Sequence, residues 1–356
     1  MNRTIFALVA ASLLTLTASA QQVDSAELRA AMVDHASALY ETVAGGRDGV
    51  ETMVGVNRGR SLVLALDDPA RETWQYWPTE RVGLELGLMT AAQRDLTHKL
   101  LNSILSSQGY LKAVQIMQLE QILAILDQVG LPRSVGHYKL VLFGRPDAAA
   151  DWAWRFEGHH ISLSVSVAPD GISVTPSFFG SNPARISSGP LTGVRVLGGV
   201  EDLARELVDS LNARERAMAV VSDRAPAEIF TTILRKERDQ WLAWRDTLQP
   251  EGIDVRDLNE VQQHWVRRLL AEVIANYREE VASQYLDSIE LEDLSFAWMG
   301  STAVGEPHYF RLQGGDFLYE YDNVQNGGNH VHSVWHSQTT DFGMGVLASH
   351  YQASAH

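Results

Sequence analysis

Apolar positions recur at helical spacing from Asp24 to about Gly130, with Leu28, Met32 and Ala36 on one face. Thr90 and Gln93 form a capping-box start for a helix through Leu96, Leu100, Leu101, Ile104 and Leu105. A second amphipathic stretch, 114–126, follows a break at Gly109 and stops at Gly130 before Pro132. Between Tyr138 and Phe179 the period falls to two. Residues 138–143 read as a strand, Trp152, Trp154 and Phe156 alternate along the next, and Ile161, Leu163, Val165 and Val167 alternate with Ser162, Ser164 and Ser166. Pro169-Asp170-Gly171 then turns the chain into 172–175, a hairpin pattern. Helical spacing returns over 200–211, near 231–248 and over 258–286. From about Leu294 the pattern is strand-like again, at 296–298, 308–312, 317–321 and 329–335, with turns at Gly314-Gly315 and 325–328.

This alternation predicts one α+β domain over 21–356, with helices in 24–130 and 200–287 and strands in 138–180 and 294–336. The expected architecture is a mixed or antiparallel sheet built from the middle and C-terminal strands and covered by the N-terminal and central helices. Of the 356 residues 45% are apolar and 21% charged, a composition that excludes a disordered chain. Lys and Arg number 29 against 44 Asp and Glu, for a net charge of −15, so no nucleic-acid partner is expected. The chain has no cysteine, which excludes disulfides, thiol nucleophiles and thiolate zinc sites. Any metal must therefore be held by nitrogen and oxygen.

Residues 1–20 read as a secretory signal: Arg3 supplies the positive start, 5–16 an apolar run, and Ala18-Ser19-Ala20 a small-residue cleavage site before Gln21. A membrane anchor is the competing reading, but the run is shorter than the roughly 20 residues a span needs and contains Ser12 and Thr15. The expected product is periplasmic or secreted, with no membrane span after signal removal.

Five of the twelve histidines lie near the C-terminus: His308, His330, His332, His336 and His350. In an extended 329–336 segment, His330, His332 and His336 point one way and Val331, Ser333 and Trp335 the other. Residues two apart on a strand stand roughly 6.6 Å apart at Cα, a gap two imidazoles close by converging on one ion. His159 and His160 form a second cluster and, taken as neighbours on a strand, face opposite ways, so one is a ligand candidate and the other a core group. If the middle and C-terminal strands are neighbours, His159 or His160 completes a site with His330 and His332. The competing reading makes these hydrogen-bonded histidines of a polar cavity. Glu157, Glu320, Asp341 and His350 are candidates for a further ligand, an orienting carboxylate or a base. Arg311 either clamps a substrate carboxylate or pairs with Glu320. No Gly-x-Ser-x-Gly elbow, phosphate loop, dinucleotide fingerprint or His-Glu-x-x-His is present, which removes support from those chemistries.

The segments Trp154-Arg-Phe-Glu-Gly-His-His160, Thr175-Pro-Ser-Phe-Phe-Gly-Ser-Asn-Pro183, Tyr309-Phe-Arg311, Glu320-Tyr-Asp-Asn323, Asn329-His-Val-His332, Asp341-Phe-Gly343 and His350-Tyr351, in that order, resemble the bacterial family catalogued as domain of unknown function 3500. The resemblance covers most of the chain from about Asp24. It implies an exported or secreted protein of several hundred residues, brings no activity with it, and maps the family pattern onto His159, His160, Arg311, Glu320, Asn329, His330, His332, Asp341 and His350. The chain departs from that pattern at His336, where an arginine is expected, and at Gly314-Gly315, where a Gly-Pro pair is expected.

The leading functional expectation is an exported metal-dependent enzyme, a hydrolase or lyase acting on a small molecule. Its divalent ion, whether zinc, copper or iron, would be held by His330 and His332 with His160 or His159. Glu157, Glu320 or Asp341 would take a proton and Arg311 would orient an anionic group. Copper or iron would make it an oxidoreductase. A non-catalytic carrier of metal or small ligand is the alternative from another class.

Overall fold

The computed structural model describes residues 25–44, 61–77, 79–126, 133–233 and 244–347. The leader at 1–20, the stop at Gly130 and Pro132, and His350 lie outside them. Helices α1 (Ser25–Ala44), α2 (Ala91–Ile104) and α3 (Ser107–Leu126) come first, with the short strands β1 (Val63–Leu64) and β2 (Leu84–Glu85) between α1 and α2. Strands β3 (Lys139–Phe143), β4 (Trp152–Gly158), β5 (Ile161–Ala168), β6 (Gly171–Ser173) and β7 (Ser177–Ser181) follow. Next come α4 (Gly198–Ser210), α5 (Ala213–Ala219), β8 (Val220–Ser222), α6 (Phe230–Ile233), α7 (Trp244–Thr247) and β9 (Ile253–Asp254). The chain continues through α8 (Glu260–Ile274), α9 (Glu279–Ser288), β10 (Ser295–Gly300), β11 (His308–Gly314), β12 (Phe317–Asn323) and β13 (Val331–Ser337).

The capping box at Thr90 and Gln93 closes the start of α2 as its sequence predicts. Gly109 does not break a helix; it lies inside α3. A β-carbon there would fall 1.9 Å from the Asn276 carbonyl oxygen, so the glycine serves the close approach of α3 to the end of α8. Residues 61–88, which the periodicity groups with the helical half, contain β1, β2 and two single 3₁₀ turns.

Hydrogen bonds join the strands in the order β1-β3-β4-β5-β7-β13-β12-β11-β10-β8, with β2 on β3, β6 on β5 and β9 on β10. Neighbours are antiparallel except β1 with β3 and β8 with β10. Middle and C-terminal strands share this sheet through β7 and β13, in register from Ser177 opposite Trp335 to Ser181 opposite Val331.

The two faces differ in content. One carries Trp152, Trp154, Phe156, Leu163, Phe310 and Tyr321, which pack with apolar residues of α1, α2, α3, α4, α8 and α9 into the main core. The alternate residues face the other way, and they are buried as well. Along β5 these are Ser162, Ser164 and Ser166, with Arg155 and Glu157 on β4, His332 and His336 on β13, and Glu320 and Asp322 on β12. The alternation of apolar and polar residues thus marks two buried faces. Trp74, Tyr76 and Ile229 come from connecting segments and pack on Phe178 and Val334 over the polar face.

Candidate metal centre

His159 and His160 occupy the connection between β4 and β5, outside the strands, where Gly158 pairs with Ile161. The expectation that the two rings face opposite ways is corrected here. Strand alternation does not govern the turn, and the rings stack with centroids 3.8 Å apart. His160 has φ +64°, a conformation that costs a non-glycine residue about 1–3 kcal/mol and persists only where the surroundings impose it. Its N–H donates to the Tyr76 carbonyl at 2.9 Å, and its own carbonyl accepts from Gly180 N–H at 2.8 Å. Gly180 makes room for the ring: a β-carbon there would stand 2.8 Å from His160 Cδ2 and 3.0 Å from the Val331 carbonyl oxygen.

The opposite side of the cluster comes from β13. Gly180 faces His332 across the β7–β13 ladder, and His330 precedes the strand with its N–H donating to Asn323 Oδ1 at 3.1 Å. His330 Nε2 and His160 Nε2 are 2.7 Å apart, so one carries a proton and donates to the other. Ligand nitrogens of His160, His330 and His332 all lie within 4.8 Å of one another. Two nitrogens on a tetrahedral ion with bonds of about 2.05 Å stand roughly 3.3 Å apart, so holding an ion requires a separation of the first two rings by only about 0.6 Å.

Acidic groups meet the third imidazole. Glu228 Oε1 lies 2.7 Å from His332 Nδ1, and Asp322 Oδ2, directly across the β12–β13 ladder, lies 3.6 Å from it. Glu228 also accepts from Ile229 N–H and Gln325 Nε2, each at 3.0 Å. Burial, then the charge of His332, lowers the pKa of His330 to about 3. Burial and the neighbouring histidines hold His160 well below its ordinary value. For His332, burial acts in the same direction, but the two carboxylates outweigh it and raise the group to about 9. Burial pushes Asp322 up to about 8. Glu228, despite burial, is drawn down to about 2 by its hydrogen bond to His332. His160 and His330 are thus neutral imidazoles, the form that binds metals, while His332 donates Nδ1–H to a carboxylate and has Nε2 left for coordination once it is neutral. These buried His, Glu and Asp groups can hold a metal ion.

The family model described as Protein of unknown function (DUF3500) matches residues 48–344. The chain belongs to this family. No curated protein and no solved structure matches it.

In this DUF3500 protein the remaining candidates among the described residues have other partners. His159 turns its Nδ1 to the Glu120 carboxylate, and Arg133 Nη1 stands 3.0 Å from the same nitrogen. Glu157 accepts from Gln75 N–H at 2.6 Å and Ser162 Oγ at 2.7 Å, with Arg155 and Arg81 at 3.5 and 3.7 Å. Glu320 caps the start of α6 through Phe230 N–H at 2.5 Å and Thr231 N–H at 3.0 Å and takes the Tyr309 hydroxyl at 2.8 Å. Although Arg311 faces Glu320 in register, its ion pair is with Glu251 at 2.7 Å, because the backbone N–H groups of α6 and Tyr309 already engage Glu320. Asp341 accepts from His336 Nδ1 at 2.6 Å and Ser337 N–H at 2.9 Å. His336 shares the face of His332 but lies four residues along the strand, roughly 13 Å away. His308 lies on the helix-covered face, stacked on Trp298 at 4.8 Å, and burial lowers it to about 4. The described histidines 308, 330, 332 and 336 therefore do not converge on one point; His330 and His332 do, with His160.

Sequence reasoning missed Glu228 and Asp322. Asp322 is two residues from Glu320 on one strand, so the same period of two that drew attention to Glu320 puts it on the same face. Glu228 sits in a connection without regular spacing and gave no signal.

Proposed function

We propose that this protein is an exported metal-dependent enzyme, in which His160, His330 and His332 hold a divalent ion and catalyse hydrolysis or elimination on a small molecule. The observation that carries this reading is the convergence of three imidazoles from segments about 170 residues apart, two of them held unprotonated. A divalent ion so held supplies Lewis acidity; three imidazoles suit zinc, copper or iron, and either of the last two would make the reaction an oxidation. Glu228 fixes the His332 tautomer through Nδ1 and, with Asp322, is the nearest proton acceptor among the acidic groups described above. Glu157, Glu320 and Asp341 are engaged by backbone N–H groups, which assigns them to holding the face together. Export rests on the leader pattern at 1–20, and among the described residues no helix is long and apolar enough to cross a membrane.

The deep burial of His160 and His332 favours a second reading, a carrier that stores its ion. Elemental analysis of the natively exported protein beside His330→Ala and His332→Ala tests the centre itself. Stoichiometric metal in the parent and a loss of at least 100-fold in affinity in each variant is the expected result. Equal, substoichiometric metal in all three would remove the centre. Exchange of bound metal with a chromophoric chelator separates the readings, since a site open to substrate exchanges faster than a closed store.

A further inference from the structure

His332 lies between two donor sets. On one side are His160 and His330; on the other, Glu228, Asp322 and its own Nδ1 form a second group whose ligand atoms also lie within 4.8 Å of one another. Asp322 gives this second group a significance that Glu228 alone would not. Its side chain is fully buried in the middle of the sheet, and among the described residues no donor stands within hydrogen-bond distance of either carboxylate oxygen. A buried carboxylate is ordinarily satisfied by several donors, as Glu157 and Glu320 on the same face of the sheet are. The nearest positive group is His332, at 3.6 Å and already bonded to Glu228. When His332 gives its Nε2 lone pair to an ion, it is neutral, and two acidic groups then share one buried space with no cation between them.

We propose that Glu228, Asp322 and His332 Nδ1 bind a second divalent cation, so that the centre is dinuclear and His332 bridges it. This rests on the three-histidine centre proposed above and extends it. Binding of the second ion releases the proton of His332 Nδ1 to solvent, and the ring then binds one metal through each nitrogen. The two ions would stand about 6 Å apart, the width of an imidazole plus two metal–nitrogen bonds of about 2 Å. The donor sets differ in hardness: three imidazoles suit zinc or copper, while two carboxylates and one imidazole suit manganese, iron or zinc.

The test is metal stoichiometry of the full-length protein, stripped with chelator, reloaded with Zn²⁺ or Mn²⁺ and desalted, for the parent, Asp322→Asn, Glu228→Gln and His330→Ala. Far-UV circular dichroism and the melting temperature of each confirm folding. Two equivalents of zinc in the parent and one in Asp322→Asn, with the remaining ion lost on adding His330→Ala, is the expected result. Copper in the three-histidine site should show an electron paramagnetic resonance signal broadened by manganese in the second, and Asp322→Asn should restore the sharp signal. A parent that never exceeds one equivalent, with that ion removed by His330→Ala and indifferent to Asp322→Asn, overturns the second site and leaves the first intact. No bound metal in any sample overturns both.

Discussion

On the helix-covered face of the sheet, Trp154, Phe310 and their neighbours meet mostly apolar groups, whereas the opposite face of the same strands buries Arg155, Glu157, Glu320, Asp322, His332 and His336 beneath connecting segments. Both are closed to water, yet they are stabilised differently. Apolar burial is non-directional and additive in area. Buried charges require partners with defined geometry, and nearly every charge on the polar face has them: Glu157 takes a backbone N–H and a serine, Glu320 takes the first N–H groups of α6, and Asp341 takes His336. Against that background the exceptions are informative. Among the described residues Asp322, where the histidines converge, is the carboxylate on this face with no hydrogen-bond donor on either oxygen.

The largest effect expected from breaking this division is on the apolar side. Trp154→Ala should cost about 3–5 kcal/mol in denaturant unfolding, because the cavity it leaves is lined by close-packed side chains. A cost below about 1 kcal/mol would mean that face is not the main core. Gly180→Ala tests the polar side at one atom: the added methyl would displace the His160 ring, lowering metal affinity roughly 10- to 100-fold, or about 1.4–2.8 kcal/mol. Isothermal titration with Zn²⁺ reads this, and unchanged affinity would remove His160 from the centre.

The remaining effect is in pH. The folded-state pKa of His332 is raised from 6.5 to about 9, so its ion pair stabilises the metal-free protein fully below pH 6.5, and that stability is lost as pH rises through about 9. His330 runs the other way: lowered to about 3, it contributes stability above pH 6.5 that is lost as pH falls toward 3. Melting temperatures across pH should lose their alkaline decline in His332→Ala and part of their acid decline in His330→Ala. Identical profiles in both variants and the parent would disprove the assignment of charge.

Much of the architecture was legible because periodicity is a local property. The period of two at Ile161, Leu163, Val165 and Val167 described β5, and Pro169-Asp170-Gly171 described its turn into β6. The histidine cluster was legible in part: His-x-His at 330 and 332 and the adjacent pair at 159 and 160 drew attention to the two segments that meet. Which of the pair meets them was not, because the answer depends on a φ of +64° at His160 and on the missing side chain of Gly180. Ion-pair partners were the least legible. Arg311 found Glu251, and His159 found Glu120, each from a segment distant in sequence.

From sequence alone came the fold class, the joint sheet of middle and C-terminal strands, the exclusion of thiolate chemistry and the two segments that carry the histidines. These follow from spacing and composition, which each stretch of chain bears regardless of where the others lie. Tertiary structure alone decided that His160 and not His159 meets His330 and His332, that Glu228 and Asp322 join them, and that Glu157, Glu320 and Asp341 accept from backbone N–H groups apart from them. Those outcomes depend on distances of a few ångströms between residues as much as 170 positions apart, set by strand register and by what packs over the buried polar face.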